Sequence, residues 1–393
     1  AKRAGKTIEN AASLFFRFLE NPIIGVTGTR GKTTTTLWIA ELLKKKYPAM
    51  CQSGTPENAL LQEFERVKGK NIPVVAELSS WQLEYLLQSK KAPHIAAITN
   101  IYPEHLNRYR DIGAYADAKA NIFLYQHEKD MLVLNYDNPW HRYFLKKNPK
   151  GVISYTSMKV LPKKLNGAYV KNGELIFRRY GKDQALFSVA RFRKERGEHN
   201  LENLLRAVLI VKLFDPAFKI TERDVLRLPT PHMRQETIYK KGRLTVVNDS
   251  CATSPDGTVA AIRRFASHHG STGNTRSDLK NRFPRSDLVL HGVKGRIFKH
   301  QKSNIILIAG GTDKELRFDG LAAAIKKHIP KKQLILLEGS ATTKLIAALR
   351  QCRYFSRYEP LEYLDLASCV KEAFRIARSI QGWTRGDTRS DLK

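Results

Sequence analysis

One segment of the chain brings glycines, a lysine and threonines together at a spacing that suits phosphate binding. Residues 25–34 read GVTGTRGKTT, directly after an apolar run of strand length and directly before a segment of helical period. Glycines let backbone N–H groups turn toward phosphate oxygens, and the N-terminus of the following helix adds a partial positive charge. Lys32 would reach the terminal phosphates, and Thr33 would ligate magnesium. The pattern predicts a nucleotide-phosphate site formed by Gly28, Thr29, Gly31, Lys32, Thr33 and Thr34.

The glycine spacing of this segment differs from that of the common phosphate loop. Position 26, five residues before Gly31, is valine rather than glycine. The alternative interpretation is a strand-to-helix turn that binds nothing. The adjacent lysine and threonine, together with the strand and helix on either side, disfavour that alternative.

A carboxylate and a histidine occupy two further positions where chemistry is expected. Glu77 ends an apolar run of strand length, and open α/β sheets bind ligands beyond the carboxyl ends of their strands. With Thr33, Glu77 would hold the magnesium that bridges the β- and γ-phosphates. The alternative for Glu77 is an acidic residue near the start of a helix at Ser79. His105 lies in a polar loop after a strand, which favours a functional role over a core position.

The elements that must position these residues alternate between strand and helix, which predicts an α/β fold with parallel sheets. In the first half, we expect helices after the first two strands and at 114–125. A β-rich region at 152–189 contains Asn172-Gly173, a type I′ hairpin signal, and a helix is expected at 200–213. The expected strands of the first half cover 23–26, 74–77, 95–98 and 131–134.

The segment 228–231, which reads LPTP, interrupts regular structure and predicts a domain boundary. We expect a short leading segment at 1–21, a central domain at 22–229 and a C-terminal domain at 230–393. The C-terminal domain should contain a hairpin near Gly242, a helix near 366–379 and two strands. Those two strands are expected at 305–309 and 334–337.

The segment 267–303 within the second domain does not fit the alternation, because it is polar, basic and without a regular period. The string TRSDLK occurs at 275–280 and again at 388–393, and RSDL recurs at 285–288. We interpret these copies as a repeated genetic element that was inserted into the chain. The segment carries eight Lys or Arg and two Asp, so it contributes +6 to the net charge of +31.

Composition limits the class of protein. A chain of 393 residues with 42% hydrophobic content can bury more than one core. The four cysteines form no CxxC pair, so we expect a reducing cytoplasm without disulfides or zinc. No run approaches the roughly 20 apolar residues of a membrane span. The positive charge lacks interleaved aromatic residues, so we expect a protein that attracts anionic substrates and has no specific nucleic-acid partner. We also expect a monomer.

Four further segments carry a resemblance to a known family. They are ELSSWQLE at 77–84, an Asn…His…Arg-Tyr pattern at 100–109, HNLEN at 199–203 and NDS at 248–250. Together with the phosphate loop, they resemble the Mur ligase family over nearly the whole chain, and ELSSWQLE is similar to the members that add D-glutamate. The resemblance implies a P-loop central domain with a parallel-rich sheet and a Rossmann-like α/β C-terminal domain.

The resemblance also implies the reaction. An ATP-dependent ligase would add D-glutamate to UDP-N-acetylmuramoyl-L-alanine through an acyl phosphate, in peptidoglycan precursor synthesis, with ATP and two magnesium ions as cofactors. His105 would bind the second magnesium, and Lys119 matches a position that the family usually carries as a carbamylated lysine. Catalysis would come from positioning and from charge neutralisation by Lys32, without a protein nucleophile.

Four more residues receive roles only from the resemblance. Asn203 would face the adenine, and Arg234 would approach ATP from the second domain. Asp249 would bind the ribose. Lys314, which ends the string GGTDK, would meet the glutamate carboxylate as a point charge.

The sequence departs from the family at both ends and at one internal position. Only 22 residues precede Ile23, so we expect the UDP-binding domain to be absent from this chain. We also expect the family's final strand, with its Ser-Pro-Ala segment, to be absent, because Gly386-Asp387 and the repeat occupy its place. Cys251 stands where the family usually has lysine. The alternatives are another Mur or folylpolyglutamate-synthase-type ligase, a nucleotide-binding remnant without ligase turnover, and a basic nucleic-acid-binding NTPase.

Overall fold

The chain divides into two compact units, Ala1–His232 and Met233–Lys393, in a computed structural model. The basic segment beyond Ser267 and all copies of the repeated string lie outside the described residues. The structure describes residues 8–55, 58–106, 108–242, 244–252, 254–267, 304–355 and 360–381.

The first unit is built on one large sheet. Its described strands are β1 (Ile23–Thr27), β2 (Cys51–Ser53), β3 (Val74–Glu77), β4 (Ile95–Ile98), β5 (Met131–Asn135), β6 (Val152–Ser157), β7 (Gly167–Lys171), β8 (Glu174–Arg179) and β9 (Lys182–Ser188). Its described helices are α1 (Ala11–Phe18), α2 (Lys32–Leu43), α3 (Phe64–Val67), α4 (Ser80–Leu83), α5 (Ile112–Ala120), α6 (His141–Leu145), α7 (Ala190–Arg196), α8 (Glu198–Phe214) and α9 (Glu222–Leu226).

The strands of this sheet follow the order β2-β3-β1-β4-β5-β6-β7-β8-β9. Neighbours from β2 to β7 are parallel, and β8 and β9 add an antiparallel end. Every residue of β1 is buried, because helices cover both faces of the sheet. Ile24 and Val26 face one core cluster with residues of α2 and α8, whereas Ile23 faces the other, together with Phe15 and Phe16 of α1.

The sequence-based elements of the first unit are largely confirmed. The four expected strands are β1, β3, β4 and β5. Asn172 and Gly173 have φ values of 52° and 77° and join β7 to β8, as a type I′ turn requires. The helix expected at 114–125 was placed too late. It begins at Ile112, because the Asp111 carboxylate caps it by accepting from Ala114 N, and it ends at Ala120.

The second unit contains a smaller sheet and a hairpin. Its described elements are β10 (Glu236–Lys241), β11 (Leu244–Asn248), α10 (Pro255–Ser267), β12 (Leu307–Gly310), α11 (Asp319–His328), β13 (Leu334–Leu337), α12 (Ser340–Gln351), β14 (Leu361–Tyr363) and α13 (Leu366–Gln381). The parallel strands β12, β13 and β14 form the sheet, and β10 pairs with β11 in antiparallel fashion. Leu334 and Leu336 of β13 pack with the helices of one face, and Ile335 packs with the helix of the other.

The predicted fold class is therefore confirmed as α/β, with a mostly parallel large sheet and a smaller parallel sheet. In the part of the chain that the structure describes, no helix has both the length and the apolar character needed to cross a membrane.

Candidate active site

The phosphate loop, residues 28–34, connects the buried strand β1 to helix α2. A Cβ atom at Gly28 would lie 1.9 Å from Thr99 Oγ1, and one at Gly31 would lie 2.2 Å from Asn203 Oδ1. Both glycines also have positive φ values, 136° and 80°, which strain other residues. The loop therefore needs glycine at both positions, because the end of β4 and helix α8 approach its backbone closely.

Hydrogen bonds fix the loop to the segment after β4. Thr29 N donates to Asn100 O at 2.9 Å, and Arg30 N donates to Asn100 Oδ1 at 2.9 Å. In the opposite direction, Thr99 Oγ1 donates to Arg30 O at 2.6 Å. These bonds hold the loop in one shape before any ligand is bound.

The Lys32 side chain folds back over the loop. Its Nζ donates to Gly28 O at 3.0 Å and to Thr29 O at 3.1 Å. Lys32 is half-buried and begins α2, where the helix dipole also favours an anion. A phosphate oxygen could replace these carbonyl oxygens as the partner of the ammonium group. Thr33, which follows, is half-buried, and Thr34 is buried.

Lys119, on α5, is a buried lysine beside the loop. It is 1% exposed, its Nζ lies 3.4 Å from Thr27 Oγ1, and the ammonium lies 4.6 Å from the centre of the Tyr115 ring. Burial, followed by the positive charge of Lys32, lowers the pKa of Lys119 well below its usual value, whereas Glu104 and Glu77 act in the opposite direction. A lowered pKa favours the neutral amine, which is a nucleophile.

Glu77 lies at the end of β3, level with Val26 of β1. Within the described ranges, its buried Oε2 has no hydrogen-bond partner. Such an oxygen is costly to bury alone, and it is a ligand type that magnesium prefers. The described residues contain no group of three or more His, Cys, Asp and Glu side chains that could hold a metal. The metal role of Thr33, Glu77 and His105 stays a prediction.

The His105 ring brings the segment 100–109 into contact with the segment 77–84. It has a φ of 57°, and its ring centre lies 5.7 Å from that of Trp81 and 6.0 Å from that of Tyr115. In the same region, Glu84 accepts hydrogen bonds from Tyr109 Oη at 2.6 Å and from Arg108 Nη2 at 2.8 Å. The two motifs that are distant in sequence thus pack against each other next to α5.

Sequence reasoning missed two residues of this site. Glu104 acts electrostatically on Lys119, and Tyr115 stacks beneath the Lys119 ammonium. Tyr115 lies four residues before Lys119 on α5, so helical periodicity could have placed both on one face. Glu104 directly precedes His105, but its charge effect on Lys119 depends on long-range packing.

Asn203 is the remaining candidate in the first unit, and three others lie in the second. Asn203 is 7% exposed and lies against Gly31. Asp249 accepts from Gln235 N at 3.0 Å, and burial raises its pKa to about 6. Arg234 donates to a backbone carbonyl at 3.4 Å, and Lys314 is exposed in the loop after β12.

Comparisons with known proteins point to one family. Residues 26–211 match the Mur ligase middle domain. The chain is 32% identical to the UDP-N-acetylmuramoylalanine--D-glutamate ligase of Roseiflexus sp. over 354 residues, which cover 89% of this chain and 68% of that protein. The protein of the same name from Symbiobacterium thermophilum is 30% identical over 388 residues, covering 99% and 74%.

Two solved structures share the fold. MurF from Acinetobacter baumannii superposes with a TM-score of 0.59 at 14% identity, covering 94% of this chain and 74% of that one. A bifunctional folylpolyglutamate synthase/dihydrofolate synthase from Yersinia pestis, complexed with AMPPNP and Mn, gives 0.58 at 13% identity, covering 93% and 87%. With the phosphate loop, the sheet and the relatives in agreement, the chain belongs to the Mur ligase family, whose members are ATP-dependent amide-forming ligases that use magnesium.

Proposed function

We propose that this protein is an ATP-dependent ligase that joins D-glutamate to UDP-N-acetylmuramoyl-L-alanine. The observation that carries the proposal is the grouping of Lys32, Lys119 and Glu77 around a loop with no room for side chains at Gly28 and Gly31. The D-glutamate specificity is supported by the names of the relatives and by the segment 77–84.

The residues present fit magnesium and ATP. Asn100 holds the N–H groups of Thr29 and Arg30, so the first turn of α2 would offer its N–H groups to phosphate oxygens. Glu77 Oε2 is buried without a partner among the described residues. Thr33 and Glu77 would hold one magnesium ion, and His105 a second. When bound, magnesium and ATP supply a transferable phosphoryl group that activates the substrate carboxylate. Lys32 would neutralise negative charge at the loop mouth and hold two anions close together.

Lys119 would act as a carbamate. The neutral amine that burial favours can form a bond from Nζ to the carbon of CO₂, with release of a proton to solvent and formation of an anionic carbamate. That anion would add an oxygen ligand for magnesium beside Glu77. Incubation with ¹³C-bicarbonate should give a carbamate resonance in the wild-type protein and none in Lys119→Met. An identical spectrum for both proteins would contradict the modification.

The second unit would supply the other substrate contacts. Arg234 and Asp249 would bind the nucleotide, with Asp249 at the ribose, and Lys314 would meet the carboxylate of D-glutamate. Asp249 is half-buried and already accepts a backbone hydrogen bond, so one of its oxygens is fixed in place.

Phosphate release from ATP tests the proposed reaction. We expect release with UDP-N-acetylmuramoyl-L-alanine and D-glutamate together, and at most a trace with either alone or with L-glutamate in place of the D form. If the protein binds ATP but releases no phosphate under any of these conditions, it would be a nucleotide-binding remnant without ligase turnover. Release with a folate substrate and not with these two would identify a different amide ligase.

A further inference from the structure

Helix α8 carries an arginine in the interior of the first unit, next to the nucleotide candidate Asn203. Arg206 is 1% exposed, and within the described part of the chain its buried Nε has no hydrogen-bond partner. Its ion pair with Glu202 is long, at 3.5 Å. A buried guanidinium with incomplete partners costs stability, so folding alone does not explain this residue.

The Arg206 guanidinium determines how the Asn203 amide is oriented. Arg206 Nη1 donates to Asn203 Oδ1 at 3.0 Å, and Asn203 Nδ2 donates to Asn200 Oδ1 at 3.3 Å. An arginine has donors only, so the amide oxygen must face the guanidinium and the amide nitrogen must face away. The reversed amide would place two donors against each other.

The fixed amide of Asn203 leaves one acceptor site and one donor site unused. Oδ1 has two lone pairs and Nδ2 has two hydrogens, and the two bonds above use one of each. The remaining acceptor and donor are complementary to the 6-amino group and N1 of adenine, because the amino group would donate to Oδ1 and N1 would accept from Nδ2. The amide also lies against Gly31, so it is adjacent to the phosphate loop.

We propose that Arg206 is a positioning residue that selects adenine over 6-oxopurines by holding the Asn203 amide in one orientation. This inference rests on the proposed function, in which Asn203 faces the base. With the amide held, a 6-oxopurine would place its oxo oxygen against Oδ1 and its N1–H against Nδ2, and both contacts are repulsive. Without Arg206, the amide could turn by 180°, so that Nδ2 donates to the oxo oxygen and Oδ1 accepts from N1–H.

Affinities for ATP and ITP, measured by isothermal titration with the full chain and magnesium, test this inference. We expect wild type to bind ATP about 10- to 100-fold more tightly than ITP, and Arg206→Met to reduce the ratio to within about threefold. Lys212→Met is the matched control, because Lys212 is a buried cation of the same helix whose hydrogen bonds, among the described residues, go to Pro216 O and Phe218 O and not to Asn203. It should lower the melting temperature and keep the wild-type ratio.

A second measurement needs no variant. Purine riboside triphosphate lacks the 6-substituent, so it should bind wild type more tightly than ITP if Oδ1 repels the 6-oxo group. Equal binding of these two nucleotides, or an unchanged ATP-to-ITP ratio in Arg206→Met, would overturn the inference. Failure of wild type to bind ATP at all would instead refute the nucleotide part of the proposed function, so the two failures are distinguishable.

Discussion

The two units carry their candidate residues in different surroundings. In the first unit, Lys119 is 1% exposed and belongs to a network of buried or half-buried groups at the carboxyl edge of a nine-stranded sheet. In the second unit, Lys314 is exposed in a loop beside a three-stranded sheet. Burial changes the chemistry of the first lysine, whereas solvent screens the second. We infer that the first unit holds the reacting groups and that the second contributes weaker binding contacts.

The largest effect is expected for Lys32→Ala, which removes the cation of the phosphate loop. Turnover should fall by about 1000-fold or more, because this charge acts on the transferred phosphoryl group. The melting temperature should stay close to that of wild type, since the hydrogen bonds of Lys32 to described residues go to two loop carbonyls. Steady-state phosphate release and thermal unfolding measure the two quantities.

The control for this variant is Lys44→Ala. Lys44 lies just after the same helix, is exposed and pairs with Glu41. It should change turnover by less than about twofold. If Lys32→Ala retained turnover, the phosphate loop would have no part in the mechanism. The inference that the first unit holds the reacting groups would then be wrong.

Lys119→Met should separate activity from stability. Turnover should fall by about 100-fold, whereas the free energy of unfolding at pH 7 in CO₂-free buffer should rise by about 1–3 kcal/mol, because the folded state no longer has to bury the ammonium or release its proton. The folded state lowers the pKa of Lys119, so above that pKa the unfolded chain binds one proton more than the folded chain. Wild-type stability should therefore rise with pH, and the advantage of the variant should disappear toward pH 10.4.

Urea denaturation of both proteins between pH 6 and pH 10 measures this difference. Lys90→Met, at an exposed lysine of the same unit, is the control and should show no pH-dependent advantage. A constant difference between Lys119→Met and wild type at all pH values would mean that Lys119 is not desolvated as the structure indicates.

Local pattern was sufficient to predict much of the fold. The apolar run of β1, the glycines after it and the Asn172-Gly173 turn each specify their conformation through nearby residues. The phosphate loop was predictable for the same reason, because its chemistry and its strand-to-helix setting lie within ten residues.

Packing between distant segments was not predictable. The burial of Lys119 depends on β1 and on the loop with Glu104, and Arg206 meets Asn203 only because helix α8 packs near the loop. The helix expected after β3 is only the four-residue α4, where Ser79 and Gln82 cap each other. Periodicity gives the face of a helix, but it does not give the charges that tertiary structure brings to that face.

Asp249→Asn tests whether the second unit also contains a group whose pKa is shifted by burial. Burial raises the pKa of Asp249 to about 6, so between pH 4 and pH 6 the folded chain binds more protons than the unfolded chain. The carboxylate then costs stability above pH 6, and the variant should be more stable by about 1 kcal/mol at pH 7 after allowance for solvent screening. The KM for ATP should rise by about tenfold.

Asp319→Asn is the matched control in the same unit, because Asp319 is exposed and pairs with the exposed Arg317. It should change neither quantity measurably. If the free energy of unfolding of Asp249→Asn equals that of wild type from pH 4 to pH 8, Asp249 is solvated like Lys314. Burial would then not shift the pKa of the carboxyl at this position.

The smallest effect is expected for Lys314→Ala. The KM for D-glutamate should rise by about five- to tenfold with little change in the KM for ATP, because an exposed lysine attracts a carboxylate as a single, hydrated charge. The loss should shrink as salt rises from 0.05 M to 0.5 M, since the Debye length falls with ionic strength. Lys332→Ala, at an exposed lysine of the same unit, controls for net charge. A loss of about 1000-fold that salt does not change would place Lys314 among desolvated groups and make the two units alike.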